Sequence, residues 1–460
     1  MFNANDKLQR ALLAEGGLRR LGACLATVAA LTASACGQAA PRATLVTSPV
    51  TSAEQLQQHE QEVHGETHPN NILPFLAATE GGRSLQAVAA SAIKPAHELM
   101  ITDLKVVEDP VRSAPGGAWH FGTLMTRMAG GKNPSQFTRS WLRAWEVDRT
   151  VNGDVSPARK AMKQAVTDRW LAASGGASLD LAKAPFRLLA IVNRLDLRTS
   201  GNAGEGRLIY GVLDELGNPL PFTVIFEYGI PLANAKVGSV EAWANRWHAL
   251  AGLPLGSTAY NSTLEAITDT FTGANANPAR PNGSALNQLR TNEIALGSSW
   301  ELREFQVSAK SGLLAQVTVK QSPKESLNNS PELAAFLKAN AGAVRAGKHV
   351  IPARLLGSRS STDVGTWRAP GVAEPVRKAF AVATCIGCHQ AETSTGFLHV
   401  ATRRAGEAAG LSRFVQDIEL PARSRDLASL VTAPTPTPSP SVAPTPKPKP
   451  RPTVKPFGRS

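Results

Sequence analysis

The chain has 460 residues and a formal net charge of +13 at neutral pH, and 42% of its residues are hydrophobic. That is long enough for two or three domains with buried cores. The charge does not mark a nucleic-acid binder: residues 1–35 carry +2, the stretch from Thr432 carries +5 with no acid, and the remaining +6 is spread thinly, without a basic stripe interleaved with aromatics.

Lys7, Arg10, Arg19 and Arg20 accompany an apolar stretch of small residues from Leu21 to Ala35. At about 15 residues it is too short to span a bilayer and has the form of a secretion signal peptide. It ends Leu31-Thr32-Ala33-Ser34-Ala35-Cys36, which resembles the bacterial lipobox. The resemblance implies cleavage before Cys36, lipidation of its thiol and anchoring to a membrane. The lipobox prefers Leu three residues before the cysteine, where this chain has Ala33, so plain cleavage after Ala33-Ser34-Ala35 and a periplasmic or secreted form stay open. Gly37 follows in place of the Asp that marks inner-membrane retention, which favours the outer membrane. No later segment is apolar enough to span a bilayer.

Residues 36–70 are rich in Thr, Ser, Gln, Glu and His and are expected to form a flexible tether. His64 and His68 are spaced to share a helix face, and His59-Glu60 misses the H-E-x-x-H metalloprotease spacing by one residue. A solvated tether is the reading adopted.

Residues 71–350 are expected to form a mixed α+β domain. In its first part, Trp141 with Trp145 and Met125 with Met128 are spaced to share helix faces, and these residues and Trp170 are assigned to packing. Residues 186–325 read as β-rich. Phe186–Asn193 is strongly apolar, Gly206–Asp214 and Leu220–Tyr228 flank a turn signal at 215–218, and Trp300–Val307 and Leu314–Lys320 alternate on either side of Lys310-Ser-Gly312. Alternation between short turns predicts antiparallel strands with one buried face.

Helices are expected to interrupt the strands. Val240–Leu250 places Trp243, Trp247 and Leu250 on one face. Ser284 is placed as the cap of a helix carrying Leu286, Leu289 and Ile294. Ser330-Pro331 should open a helix that ends at Gly347. Arg194, Asp196, Arg207, Asp214, Glu227 and Glu293 lie among the apolar residues. Strand carboxylates can serve acid/base chemistry, but solvated or ion-paired carboxylates are commoner. No G-x-S-x-G, P-loop, H-E-x-x-H or G-x-G-x-x-G accompanies them, so no catalytic residue is assigned.

Residues 385–389 read Cys-Ile-Gly-Cys-His. Of the four cysteines, Cys24 and Cys36 belong to the export signal, so both remaining thiols lie in this pentapeptide. The C-x-x-C-H spacing resembles the haem-attachment motif of c-type cytochromes. The resemblance implies one covalent haem c, with thioethers from Cys385 and Cys388 and His389 as an iron ligand. The motif follows a helix expected over Pro375–Ala383. His399 is the candidate sixth ligand, because about ten extended residues span about 30 Å; His97, His248 and His349 stay open. Cytochrome c domains usually place the motif near their start and a Met ligand after it, whereas here no Met follows. The run Thr384–His399 also resembles the C-terminal part of an uncharacterised family of secreted bacterial proteins, which implies no activity. The alternatives are a structural Cys385–Cys388 disulfide in an oxidising compartment and a zinc site, for which no second Cys pair is present.

Residues 432–460 are Pro-rich and basic and are expected to be extended and disordered. The expected fold class is α+β: a predominantly antiparallel β central domain with interspersed helices, then a small, mostly helical or irregular Cys-x-x-Cys-His region over 351–431. The expected function is electron transfer by haem at the cell envelope with an unnamed redox partner protein. The alternatives are a β-rich surface binding or scaffold lipoprotein, and an oxidoreductase that binds a substrate beside the haem.

Overall fold

The computed structural model describes residues 92–297 and 299–431. The signal peptide, Cys36, the tether and the Pro-rich tail lie outside the described residues.

The alternating runs form one eight-stranded antiparallel sheet. Its strands are β1 (Met100–Ile101), β4 (Phe186–Arg194), β5 (Asn202–Leu213), β6 (Pro219–Pro231), β7 (Leu286–Glu293), β8 (Glu301–Val307), β9 (Leu314–Val317) and β10 (Ser360–Ser361). The order is β1-β4-β5-β6-β7-β8-β10, with β9 also paired to β8. Between β1 and β4, β2 (Arg149–Val151) and β3 (Asp154–Ser156) form a separate hairpin. The longer helices are α1 (Phe121–Met128), α2 (Pro134–Leu142), α3 (Val240–His248), α4 (Thr258–Thr272), α5 (Pro331–Ala339), α6 (Glu374–Ala383) and α7 (Leu420–Val431). None is long and apolar enough to cross a membrane.

Because side chains alternate along a strand, the sheet has two unlike faces. One carries Leu208, Tyr210 and Val212 of β5 and Phe222, Val224, Phe226 and Tyr228 of β6, packed under α1 to α4. Phe121 of α1 stacks on Phe186, with ring centres 3.7 Å apart. Trp141, Trp145, Trp170, Trp243, Trp247, Met125 and Met128 are all buried in this core, so the assignment of these residues to packing holds. The other face carries Arg194, Glu205, Arg207, Glu227, Gln288 and Arg290 and forms the floor of a cavity.

The helix expected from Ser284 is strand β7. Its register against β6 shifts between Glu227↔Gln288 and Tyr228↔Leu286, leaving Asn287 as the extra residue of a bulge. The bulge puts Leu286 and Leu289, three apart in sequence, into one core, which gives a helix-like spacing to a strand. The Ser284 hydroxyl accepts the Leu286 N–H. The helix expected to run to Gly347 breaks at Asn340 and resumes over Ala341–Arg345; Gly347 then takes φ +64°. The Pro375 helix appears as α6, with the proline in its first turn.

Residues either side of 350 share one sheet, through β10, and one core cluster, in which Trp300, Leu302 and Val319 pack with Phe380, Cys385 and Ile386. The Cys-x-x-Cys-His region therefore packs directly on the β-rich region.

Candidate functional site

The motif begins where α6 ends. Thr384 leaves the helix in an extended conformation, and a widened, π-helical turn over Gly387–Ala391 follows. Gly387 is required there: a Cβ would overlap the Ala381 carbonyl oxygen. The turn brings Cys385, Cys388 and His389 to the wall of a cavity of about 200 Å³ over the charged face of the sheet. With its open mouth, the space between the facing side chains is about 1510 Å³.

Strand register sets the floor. Arg207 of β5 stands opposite Glu227 of β6, which stands opposite Gln288 of β7; Arg290 stands opposite Glu304 of β8. Cross-strand pairs of opposite charge stabilise a sheet, and the side chains pair accordingly. Arg207 reaches Glu205 at 2.7 Å and Glu227 at 3.2 Å. Arg290 donates to Glu304 at 2.9 Å, and Lys320 donates to the side-chain amide oxygen of Gln288 at 2.7 Å. Burial raises the Glu205 carboxyl, but Arg207 and Lys320 outweigh it and leave its pKa at about 2. The floor is thus held as fixed ion pairs. Met100, Val192, Ile209, Ile225, Leu302, Val400 and Val415 supply the apolar lining.

Both cysteines are free thiols. Burial raises their pKa values, that of Cys388 most strongly, so both are held as S–H. Cys385 lies 3.9 Å from the Lys320 carbonyl oxygen. The Cys388 sulfur lies 3.3 Å from Nε2 of His399, whose Nδ1 is 2.9 Å from the Ser412 hydroxyl.

His389 is oriented from the sheet. Its Nδ1 is 2.5 Å from the carbonyl oxygen of Phe397. A carbonyl only accepts, so Nδ1 carries the proton and Nε2 is bare, the tautomer that binds a metal. The same carbonyl accepts the Asn292 amide at 3.2 Å, and Asn292 in turn accepts the Trp300 indole N–H. The Trp300 ring stacks on His389 with centres 5.2 Å apart. Phe397 has φ +67°, a conformation that costs a bulky residue about 1–3 kcal/mol and clusters at functional sites. Burial pushes the pKa of His389 down to about 3, helped by His399, and that of His399 to about 4, helped by Arg423 and Arg194. Both rings are neutral at pH 7 and able to ligate.

The structure thus brings Cys385, Cys388, His389 and His399 together, with Arg194, Arg207 and Glu227, while Asp196 pairs with Arg194. Other residues singled out from the sequence lie elsewhere. Asp214 takes the Leu216 and Asn218 N–H groups of a turn. Glu293 pairs with Arg159. His97 sits edge-on to Tyr260, His248 pairs with Glu98, and His349 packs between Phe336 and Phe380. Asn292, Trp300, Phe397, Ser412 and Arg423 were not singled out from the sequence; no motif marks them.

The donor atoms are those a haem c would use, namely two free thiols at the C-x-x-C spacing and a neutral histidine with its Nε2 bare, beside an apolar lining and guanidinium groups, while a porphyrin needs the open part of the cavity as well as its enclosed volume of about 200 Å³. Metal–imidazole bonds are about 2.0 Å long, so two rings flanking one iron have centres about 6 Å apart. The centres of His389 and His399 are 4.4 Å apart, so His399 as placed stands closer than a sixth ligand would and instead meets the Cys388 thiol. Among the described residues no group of three or more His, Cys, Asp or Glu side chains is arranged to hold a bare metal ion. No known family matches the chain, and no curated protein and no solved structure is similar to it.

Proposed function

We propose that this chain is an exported electron-transfer protein that carries one haem c, attached through Cys385 and Cys388 and ligated by His389. The observation that carries this reading is that two free thiols and a neutral histidine with an uncommitted Nε2 line one cavity. Bound there, the haem supplies a one-electron ferrous/ferric couple. The chain's own residues do the rest. The Phe397 carbonyl fixes the tautomer and direction of His389 and raises its basicity as a ligand, and Asn292 holds that carbonyl. Trp300 and the apolar lining keep water from the ring. The ion-paired floor supplies charge that is fixed before any electron arrives. Lipid anchoring through Cys36 at the outer membrane and an encounter with a redox partner protein complete the proposal.

The test is the intact mass and the pyridine haemochrome spectrum of full-length chain from cells with a cytochrome c maturation system. The expected result is a gain of one haem that survives denaturation and shows a thioether-type α band. Cys388→Ala should give a single-thioether α band or no retained haem. A mass that shows only the loss of two hydrogens would replace this reading with the disulfide-stapled binding protein.

A further inference from the structure

We propose that Arg423 is a carboxylate-binding residue of this cavity. Arg423 lies on α7, is only 3% exposed and lines the cavity. Its Nη2 donates to Glu419, one turn back on the chain. Its Nε approaches Asp196 at 3.8 Å, beyond hydrogen-bond reach, and neither Nε nor Nη1 makes a hydrogen bond. Asp196 cannot turn to meet it, because Arg194 holds both its oxygens at 2.9 and 2.7 Å.

The other cations around the cavity are committed. Arg207 is taken by Glu205 and Glu227, Arg290 by Glu304, and Lys320 by Gln288. Among the described residues lining the cavity, Arg423 is the cation whose buried donors lack partners. A buried guanidinium with orphan N–H groups is costly, and a carboxylate is its strongest partner in charge and in hydrogen bonding. Burial, and after it Arg194, pulls the Arg423 pKa down to about 10, so Glu419 and Asp196 do not fully compensate the cation. Val192, Ile209, Val400 and Val415 provide an apolar surface for the rest of the ligand.

The carboxylate has two sources: a small organic acid entering the cavity, or a propionate of the porphyrin. Only the second rests on the haem reading. The experiment uses the full chain with Cys385→Ala and Cys388→Ala, which forms no thioether, with Arg423 or with Arg423→Gln. One arm follows the thermal midpoint with succinate against matched sodium chloride. The other titrates haemin and its dimethyl ester by the Soret band. The small-acid source predicts a midpoint that rises with succinate only when Arg423 is present. The propionate source predicts haemin binding at least tenfold tighter than the ester, with the gap closing in Arg423→Gln. Haemin and ester that bind equally, with no succinate effect, overturn the inference while leaving the haem reading intact. A succinate effect without any Soret change upholds the inference through the small-acid source, and the haem reading is then decided separately by the intact mass of the chain that keeps both cysteines. If Arg423→Gln does not fold, the absence of both effects on the Arg423 chain still overturns the inference.

Discussion

Asn292 joins the sheet to the motif through both ends of its amide. Its oxygen takes the buried Trp300 indole N–H, and its nitrogen donates to the Phe397 carbonyl that also receives His389. Asn292→Leu keeps roughly the volume and removes both bonds. Leaving a buried polar group unsatisfied costs about 1–3 kcal/mol, so the unfolding free energy from a urea titration should fall by at least that much, and the midpoint with it. Asn292→Asp keeps the oxygen acceptor for Trp300 but sets a buried carboxylate against the Phe397 carbonyl oxygen, and should cost at least as much. Equal midpoints for Asn292→Leu and the parent chain would refute the bridging role. At this scale the site was half legible. Cys385, Cys388 and His389 are consecutive enough to carry a spacing, and so declare their chemistry. Asn292 and Arg423 reach the same cavity, and Trp300 the His389 ring, from distant parts of the chain, and only strand register and helix docking, which the linear sequence does not record, bring them there.

Individual elements were legible where periodicity was clean. Val240–His248 and Glu374–Ala383 carry helical spacing with a capping serine or a first-turn proline, and β4, β5, β6, β8 and β9 follow the apolar and alternating runs. β7 was not legible, because its bulge mimics the three-residue step of a helix. The broken helix after α5 leads to His349, which is 4% exposed and packs on Phe336 and Phe380. Its Nδ1 has no partner, and burial holds its pKa below the usual 6.5. The unfolded chain therefore takes up a proton near pH 6.5, while the folded chain resists it until lower pH. In that window the unfolded state binds more protons, so stability falls as pH falls, by at most about 1.4 kcal/mol per pH unit for one group. Urea midpoints at pH 7, 6 and 5 should decline for the parent chain, and less steeply for His349→Leu. Parallel declines would mean that His349 does not carry this part of the pH dependence.

The whole molecule divides the labour between the two faces of one sheet. The apolar face, under α1 to α4, holds the large aromatic core, and the charged face holds the cavity and the motif. Arg303 tests that division, because it lies on the core face of β8. It is fully buried, donates to Glu301 at 2.5 Å and to the carbonyls of Ala144 and Pro157 at 3.0 and 2.5 Å, and lies over the Trp145 ring. Glu301 is also paired to Arg359 at 2.9 Å, and Arg359 to Glu325 at 3.0 Å, so one buried network ties the segment around Trp145 to β8 and to the chain beyond it. Replacing one partner of a buried pair costs about 3–5 kcal/mol because the rest of the network stays behind unmatched. Arg303→Met should therefore lower the unfolding midpoint severely. Arg303 is not part of the cavity lining, so, on the proposed haem reading, the folded fraction should keep the spectrum of the parent chain. Arg207→Met on the opposite face should do the reverse in part, disturbing the spectrum because Glu205 would lose its ion-pair partner and Glu227 the nearer of its two cations beside the motif. If Arg303→Met shifted the spectrum as much as Arg207→Met, the two faces would be coupled, and the sheet could not be described as a rigid partition between the core and the site.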